Sequence, residues 1–180
     1  MSLAKGLVRE AFRVSGHGKL VAVAVAEVRG IDGLRDLIGK EIGPGEWREV
    51  RQEDIDTFAD LSGDHQWIHV DVDRAKKESP FGTTVAHGNL TLSMIDGFRL
   101  DLITTTGFKL GVNYGWNKVR FPAPVPVGSR LRSTATINDV ADVPGGIQVT
   151  VAFTVEREGG DKPVCVAESV SRYYLSTAGD

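Results

Sequence analysis

Apolar and polar positions along this chain change their period near Gly107, from a helical spacing before it to strict alternation after it. Over residues 53–61, Ile55, Phe58, Ala59 and Leu61 recur at helical spacing behind the acidic Glu53 and Asp54, and Ser62-Gly63 supplies a stop. A helix ending just before Asp64 is predicted. Over residues 87–104, Leu90, Leu92, Met94, Ile95, Phe98, Leu100, Leu102 and Ile103 cover too much of the circumference for a surface helix, so this second helix should be mostly buried. Further on, Leu131, Ser133, Ala135 and Ile137 alternate with Arg130, Arg132, Thr134 and Thr136, and Ile147, Val149, Val151, Phe153 and Val155 alternate with more polar neighbours. Pro144-Gly145-Gly146 and Gly159-Gly160-Asp161 mark the turns around the second of these strands. Residues 163–175 and 112–121 supply two more. A buried helix followed by an antiparallel meander is an α+β arrangement, with the sheet wrapped on the helix.

Before this body, Gly30, Gly33, Gly39, Gly43, Pro44 and Gly45 punctuate the chain and predict a boundary near residues 37–39. Residues 1–38 then read as an N-terminal extension carrying one short strand or hairpin arm, and residues 39–176 as the domain. Lys5, Arg9 and Arg13 precede an apolar run at 20–26, but that run is short, begins late and follows Glu10, unlike a secretory signal. No stretch approaches the roughly 20 apolar residues of a spanning helix, so no membrane insertion is expected.

Composition narrows the field further. The 180 residues suit one domain able to bury about 70% of its unfolded surface. With 41% hydrophobic and 25% charged residues and a formal net charge of −3, bulk charge offers nothing to nucleic acid. Cys165, the sole cysteine, excludes an intrachain disulfide and a Cys-rich zinc site, fits a cytoplasmic location, and lies in an apolar run that suits a packing thiol.

The chemistry concentrates in two places. In Ser62-Gly63-Asp64-His65-Gln66-Trp67-Ile68-His69-Val70-Asp71, a carboxylate and an imidazole stand five residues apart just past a helix end, as a pair that moves protons requires. Some twenty residues later, Ala86-His87-Gly88-Asn89 opens the apolar helix, and its free N–H groups could hold a developing negative charge. His65 and His69, at i,i+4 with Asp64 nearby, raise a metal alternative. The Gly63 break and Trp67 argue there for a loop, and no further nitrogen or sulfur ligand is evident, so no metal is expected. His87 suits a structural hydrogen bond or a substrate contact, and Ser93 either faces a substrate channel or eases helix-to-sheet packing. Phe81 and Trp116 read as core or tunnel lining.

With these residues in place, the chain resembles the MaoC-like dehydratases, the (R)-specific enoyl-CoA hydratases of the hot-dog fold, over residues 38–175. The hydratase signature of that family runs aromatic, Ser/Thr-Gly-Asp, one residue, Asn-Pro, one residue, His. Phe58, Ser62-Gly63-Asp64 and His69 meet it here. Pro80-Phe81-Gly82 leading through Val85-Ala86-His87-Gly88, and Val119-Arg120-Phe121-Pro122-Ala123-Pro124-Val125 entering the Val127-Gly128 turn, are second and third matches in the right order.

The resemblance implies a single hot-dog domain with an antiparallel sheet around a long central helix. It further implies reversible hydration of trans-2-enoyl-CoA, with water activated by Asp64 and His69 and the thioester oxygen held by the Gly88 N–H. Gln66 and Trp67, which stand where the family has Asn and Pro, are then candidates for substrate contact and acyl-chain preference, together with His87, Ser93, Lys118 and Arg120. Coenzyme A would enter only as part of the substrate, with no metal or redox cofactor. A homodimer is implied, in which Lys118 or Arg120 of one protomer serves its partner's groove. Two rivals remain: a hot-dog thioesterase that cleaves the thioester, and a non-catalytic acyl-thioester-binding module.

Overall fold

The structure, a computed structural model, describes residues 7–14 and 20–175, with side chains from Ala26 onward. Lys5 of the N-terminal extension lies outside the described residues. Strands β1 (Leu7–Val14) and β2 (Leu20–Arg29) pair antiparallel as the hairpin arm expected in this region. They lead into a short helix, α1 (Gly30–Arg35). Ala26, Val28, Leu34 and Leu37 are buried in the same core as the rest of the chain, so the glycines from Gly30 to Gly45 turn the chain without parting it from the domain.

Two-residue strands β3 (Glu41–Ile42) and β4 (Arg48–Glu49) precede α2 (Gln52–Ser62). That helix buries Ile55 and Ala59, whereas Leu61, counted with the same face, is 84% exposed. Two short helices, α3 (Trp67–Val70) and α4 (Val72–Glu78), follow. The long helix α5 (Gly88–Leu102) buries Thr91, Ile95, Phe98 and Leu102, one seam at i, i+4, i+7 and i+11. It is less enclosed than its composition predicts: Leu90, Leu92 and Met94 are half-buried and Leu100 is 59% exposed.

The same helix ends two residues before the expected 104. Ile103 to Thr106 form strand β5, because four consecutive β-branched side chains are stiff at χ1 and favour the pleat. β5 runs parallel to β2, with Ala26 opposite Ile103, and this joins the N-terminal hairpin to the domain.

β6 (Leu110–Arg120), β7 (Arg130–Val143), β8 (Gly146–Arg157) and β9 (Cys165–Tyr174) make the antiparallel meander. The six-stranded sheet runs β3-β7-β8-β9-β6, with β4 also on β7. Its inward positions, Leu131, Ala135 and Ile137 of β7 and Ile147, Val149, Val151, Phe153 and Val155 of β8, are buried and form with the seam of α5 the core that the alternation predicts. Irregularities between Asn113 and Gly115 and between Trp116 and Lys118 break the alternation of β6, the edge strand. Cys165 is fully buried, and burial pushes its thiol up to about 11, in keeping with a packing role.

Candidate active site

Gly63 caps α2 in the left-handed conformation (φ 78°), its N–H bonded to the Ala59 carbonyl, and this turns the chain sharply away from the helix axis. Asp64 therefore leaves α2 on a loop, as expected. Its Oδ1 accepts a hydrogen bond from the Gln66 N–H (3.3 Å), and its own N–H donates to Ser62 Oγ (3.3 Å). Residues 67–70, read above as loop, wind instead into the single turn of α3, closed by the His69 N–H on the Gln66 carbonyl (2.9 Å). That turn carries His69 inward, to 7% exposure.

The His69 ring is fixed from behind. Its Nδ1 lies 2.6 Å from the Val85 carbonyl, and since a carbonyl only accepts, the ring proton sits on Nδ1 and the Nε2 lone pair is free. The backbone of His69 is held as well: Gln52 Nε2 donates to its carbonyl (2.8 Å), and Gln52 Oε1 accepts from the buried Thr84 hydroxyl (2.6 Å). This clamp has no signal in the sequence, because its members lie 17 and 32 residues apart.

His87, the residue before α5, is 3% exposed and stacks on His69 with ring centroids 3.7 Å apart and planes 28° apart. Its Nε2 donates to the Asp64 carbonyl (2.9 Å), and the Phe58 ring packs against it at 5.1 Å. Asp64, His69 and His87 each bring one donor atom within 4.8 Å of the others. His65 does not join them: it bonds Asp60 on α2 (2.9 Å). Two of the ring nitrogens are already engaged, His69 Nδ1 with the Val85 carbonyl and His87 Nε2 with the Asp64 carbonyl.

Gly88 opens α5, so its N–H has no acceptor within the helix. It borders a cavity of about 300 Å³ whose walls include Phe81, Ala86, Thr91, Phe121 and Val125. Asp64 and His69 thus meet His87 immediately before the residue whose N–H opens the helix.

The other candidates are more dispersed. Gln66 is exposed on the Asp64 loop, and the Trp67 ring is covered by the Arg74 guanidinium at 4.3 Å rather than lining the cavity. Ser93 is exposed and donates to the Asn89 carbonyl (2.8 Å) within α5. Lys118 and Arg120 are exposed on β6, Arg120 donating to the Val119 carbonyl (2.7 Å), one residue before the cavity wall at Phe121. Among the described residues, none of these five side chains makes a hydrogen bond or ring contact with Asp64 or His69.

Burial above all holds the His69 imidazole below its ordinary 6.5; the hydrogen bond to the Val85 carbonyl opposes it, His87 adds a smaller downward push and Asp64 a smaller upward pull. Neutral His69 is then the resting form near neutrality, as a base requires. The acid limb of kcat/KM is expected below pH 6.5, measured as a pH–rate profile. Folding is linked in the same sense. Between the depressed native value and 6.5 the unfolded chain binds more protons, so stability from this group is lost as pH falls through that window.

The fold defines a class, the hot-dog domains. Within it the chain belongs to the MaoC-like dehydratase family, whose MaoC like domain matches residues 34–158. It is 50% identical over 150 residues to the 3-hydroxyacyl-thioester dehydratase Z of Mycobacterium tuberculosis, spanning 81% of this chain and 99% of that one. It is 40% identical over 136 residues to nodulation protein N of Rhizobium leguminosarum, spanning 74% and 84%. Among solved structures, R-hydratase PhaJ1 from Pseudomonas aeruginosa superposes with a TM-score of 0.64 over 79% of this chain and 86% of that one, and at 23% identity it attests the fold alone. The chain is a dehydratase-class enzyme.

Proposed function

We propose that this enzyme catalyses the reversible, (R)-specific hydration of a trans-2-enoyl thioester to the 3-hydroxyacyl thioester, with coenzyme A as the thiol portion of the substrate. The observation that carries the reading is the gathering of Asp64 and His69 within 4.8 Å of each other and of His87, the residue that precedes Gly88, which borders a mostly apolar cavity. Water placed between Asp64 and His69 gives its hydroxyl to the β-carbon and a proton to the α-carbon, and the pair passes the protons. In between, negative charge gathers on the thioester oxygen as an enolate, where the Gly88 N–H is placed to receive it. The residues supply every proton and charge the reaction needs, so the mechanism uses no metal or redox cofactor. The name of the mycobacterial relative supports a thioester substrate.

The cavity, at about 300 Å³ with no charged residue in its wall, suits a short acyl chain more than a long one. Lys118 and Arg120, exposed at the end of β6, are available to the phosphates of coenzyme A bound to a partner protomer. Strand β6 pairs only with β9 among the described residues, and Leu110, Val112 and Tyr114 are exposed along it, which supports a homodimer joined at that edge. No helix of the described residues is long and apolar enough to cross a membrane. A reducing, cytoplasmic setting suits the single buried cysteine.

The test is a chain-length series of trans-2-enoyl-CoA thioesters. Loss of the conjugated alkene and a product of single (R) handedness are expected, with the shorter chains turned over fastest. Release of free thiol would instead mark a thioesterase, and substrate bound but recovered unchanged would mark a binding module.

A further inference from the structure

We infer that His87 is a positioning residue for both members of the pair, holding the Asp64 loop by its backbone carbonyl and backing the His69 ring, without touching the substrate. The inference rests on the reading that Asp64 and His69 handle the protons of the reacting water. It begins from a local anomaly. The residue before a helix is usually Ser, Thr, Asp or Asn, whose side chain caps the first free N–H groups. His87 holds that place before α5 and makes no side-chain cap bond. Its ring is directed instead to the loop 23 residues earlier, where Nε2 donates to the Asp64 carbonyl at 2.9 Å.

That bond sets the tautomer. With the proton on Nε2, Nδ1 is a lone pair, and it is buried with no hydrogen-bond partner among the described residues. Buried polar atoms are rarely left so, and where they are, a site is a common reason. A phenyl or leucyl side chain would fill the same space without an orphaned acceptor, but could not hold the Asp64 carbonyl. The groups facing His87 are few. The Asp64 loop brings the carboxylate, α3 brings His69, and α2 brings only the uncharged Phe58 ring. When His69 takes a proton in turnover, the cation forms 3.7 Å from the face of the imidazole stacked on it. That neighbour disfavours the cation and helps to hold His69 below its ordinary value, so the proton is readily returned.

The test compares two replacements. His87→Phe keeps the ring and the burial and removes the donor; His87→Gln can carry an amide N–H to about the place of Nε2 and removes the ring. His87→Phe is expected to lower kcat by about 100-fold with KM little changed, because a loop displaced by about 1 Å misaligns the carboxylate. His87→Gln is expected to recover most of that loss, while the acid limb of the pH–rate profile moves up towards the ordinary histidine value as the second imidazole disappears. A folded His87→Phe variant with wild-type kcat, or one in which KM alone rises, overturns the inference in favour of packing or of a substrate contact.

Nitrogen NMR of the wild-type histidines keeps the question open to refutation if the variants do not fold. It should find His87 protonated on Nε2 and His69 on Nδ1, and the opposite tautomer of His87 refutes the proposed arrangement. The spectrum is read without substrate. Failure of the hydration assay would therefore remove the functional reading and leave the His87 geometry to be judged separately.

Discussion

Replacing Asp64 by asparagine is expected to reduce kcat for enoyl-thioester hydration by about 100-fold or more, the usual cost of removing a general acid–base group. Structure and stability should survive the change. The Asp64 side chain is exposed, and its Oδ1 accepts one hydrogen bond, from the Gln66 N–H at 3.3 Å, which the asparagine carbonyl can accept equally well. The backbone carbonyl that His87 holds is untouched. What asparagine removes is the capacity to take and return a proton. Steady-state kinetics beside a thermal melt separate the two effects: a large fall in kcat with an unchanged melting temperature is the expected pattern. Retention of activity within ~10-fold would remove Asp64 from proton transfer.

Substitution of Gly88 should divide into a steric part and a chemical part. A Cβ at this position would lie 2.9 Å from the Phe121 ring, so Gly88→Ala requires that ring to move. Phe121 is 43% exposed and has solvent to move into. Gly88→Pro adds the same steric demand and also deletes the N–H. Proline is tolerated at the first position of a helix, and the preceding His87, at φ −60° and ψ 141°, already has the extended conformation that a residue before proline needs. The alanine variant is the control for crowding. Gly88→Pro is expected to fall a further ~100-fold or more in kcat, the typical loss of one oxyanion donor. Adding Phe121→Ala to both should restore the steric part and leave that difference standing. Equal activity of the proline and alanine variants would mean that the transition state does not lean on the Gly88 N–H.

Sequence alone disclosed those parts of the site that are local. The helix stop at Ser62-Gly63 and the five-residue step from Asp64 to His69 are written in contiguous residues, and the left-handed Gly63 delivers Asp64 as that pattern requires. The alternation in β7 and β8 is equally direct, because one face of each strand is buried. Other features depend on contacts between distant segments. The stacking of His69 on His87 and the Gln52 clamp to Thr84 join residues that no spacing rule connects. The turn of α3 spans four residues, too few for a helical period to be recognised. In β6 the two bulges remove the period-two signal, and at Ile103 the run of β-branched residues ends a helix whose apolar pattern suggested two further residues.

The anchoring of His69 from its far side has a consequence for how this enzyme can be diversified. Its ring is fixed by the Val85 carbonyl and its backbone by Gln52, while Trp67 packs beneath Arg74. No side chain at positions 66 or 67 is needed to hold the base. Those two positions are thus permissive, open to substitution while the arrangement of Asp64, His69 and His87 stays put. A library randomised at Gln66 and Trp67 should therefore yield mostly folded proteins whose turnover stays close to that of the parent.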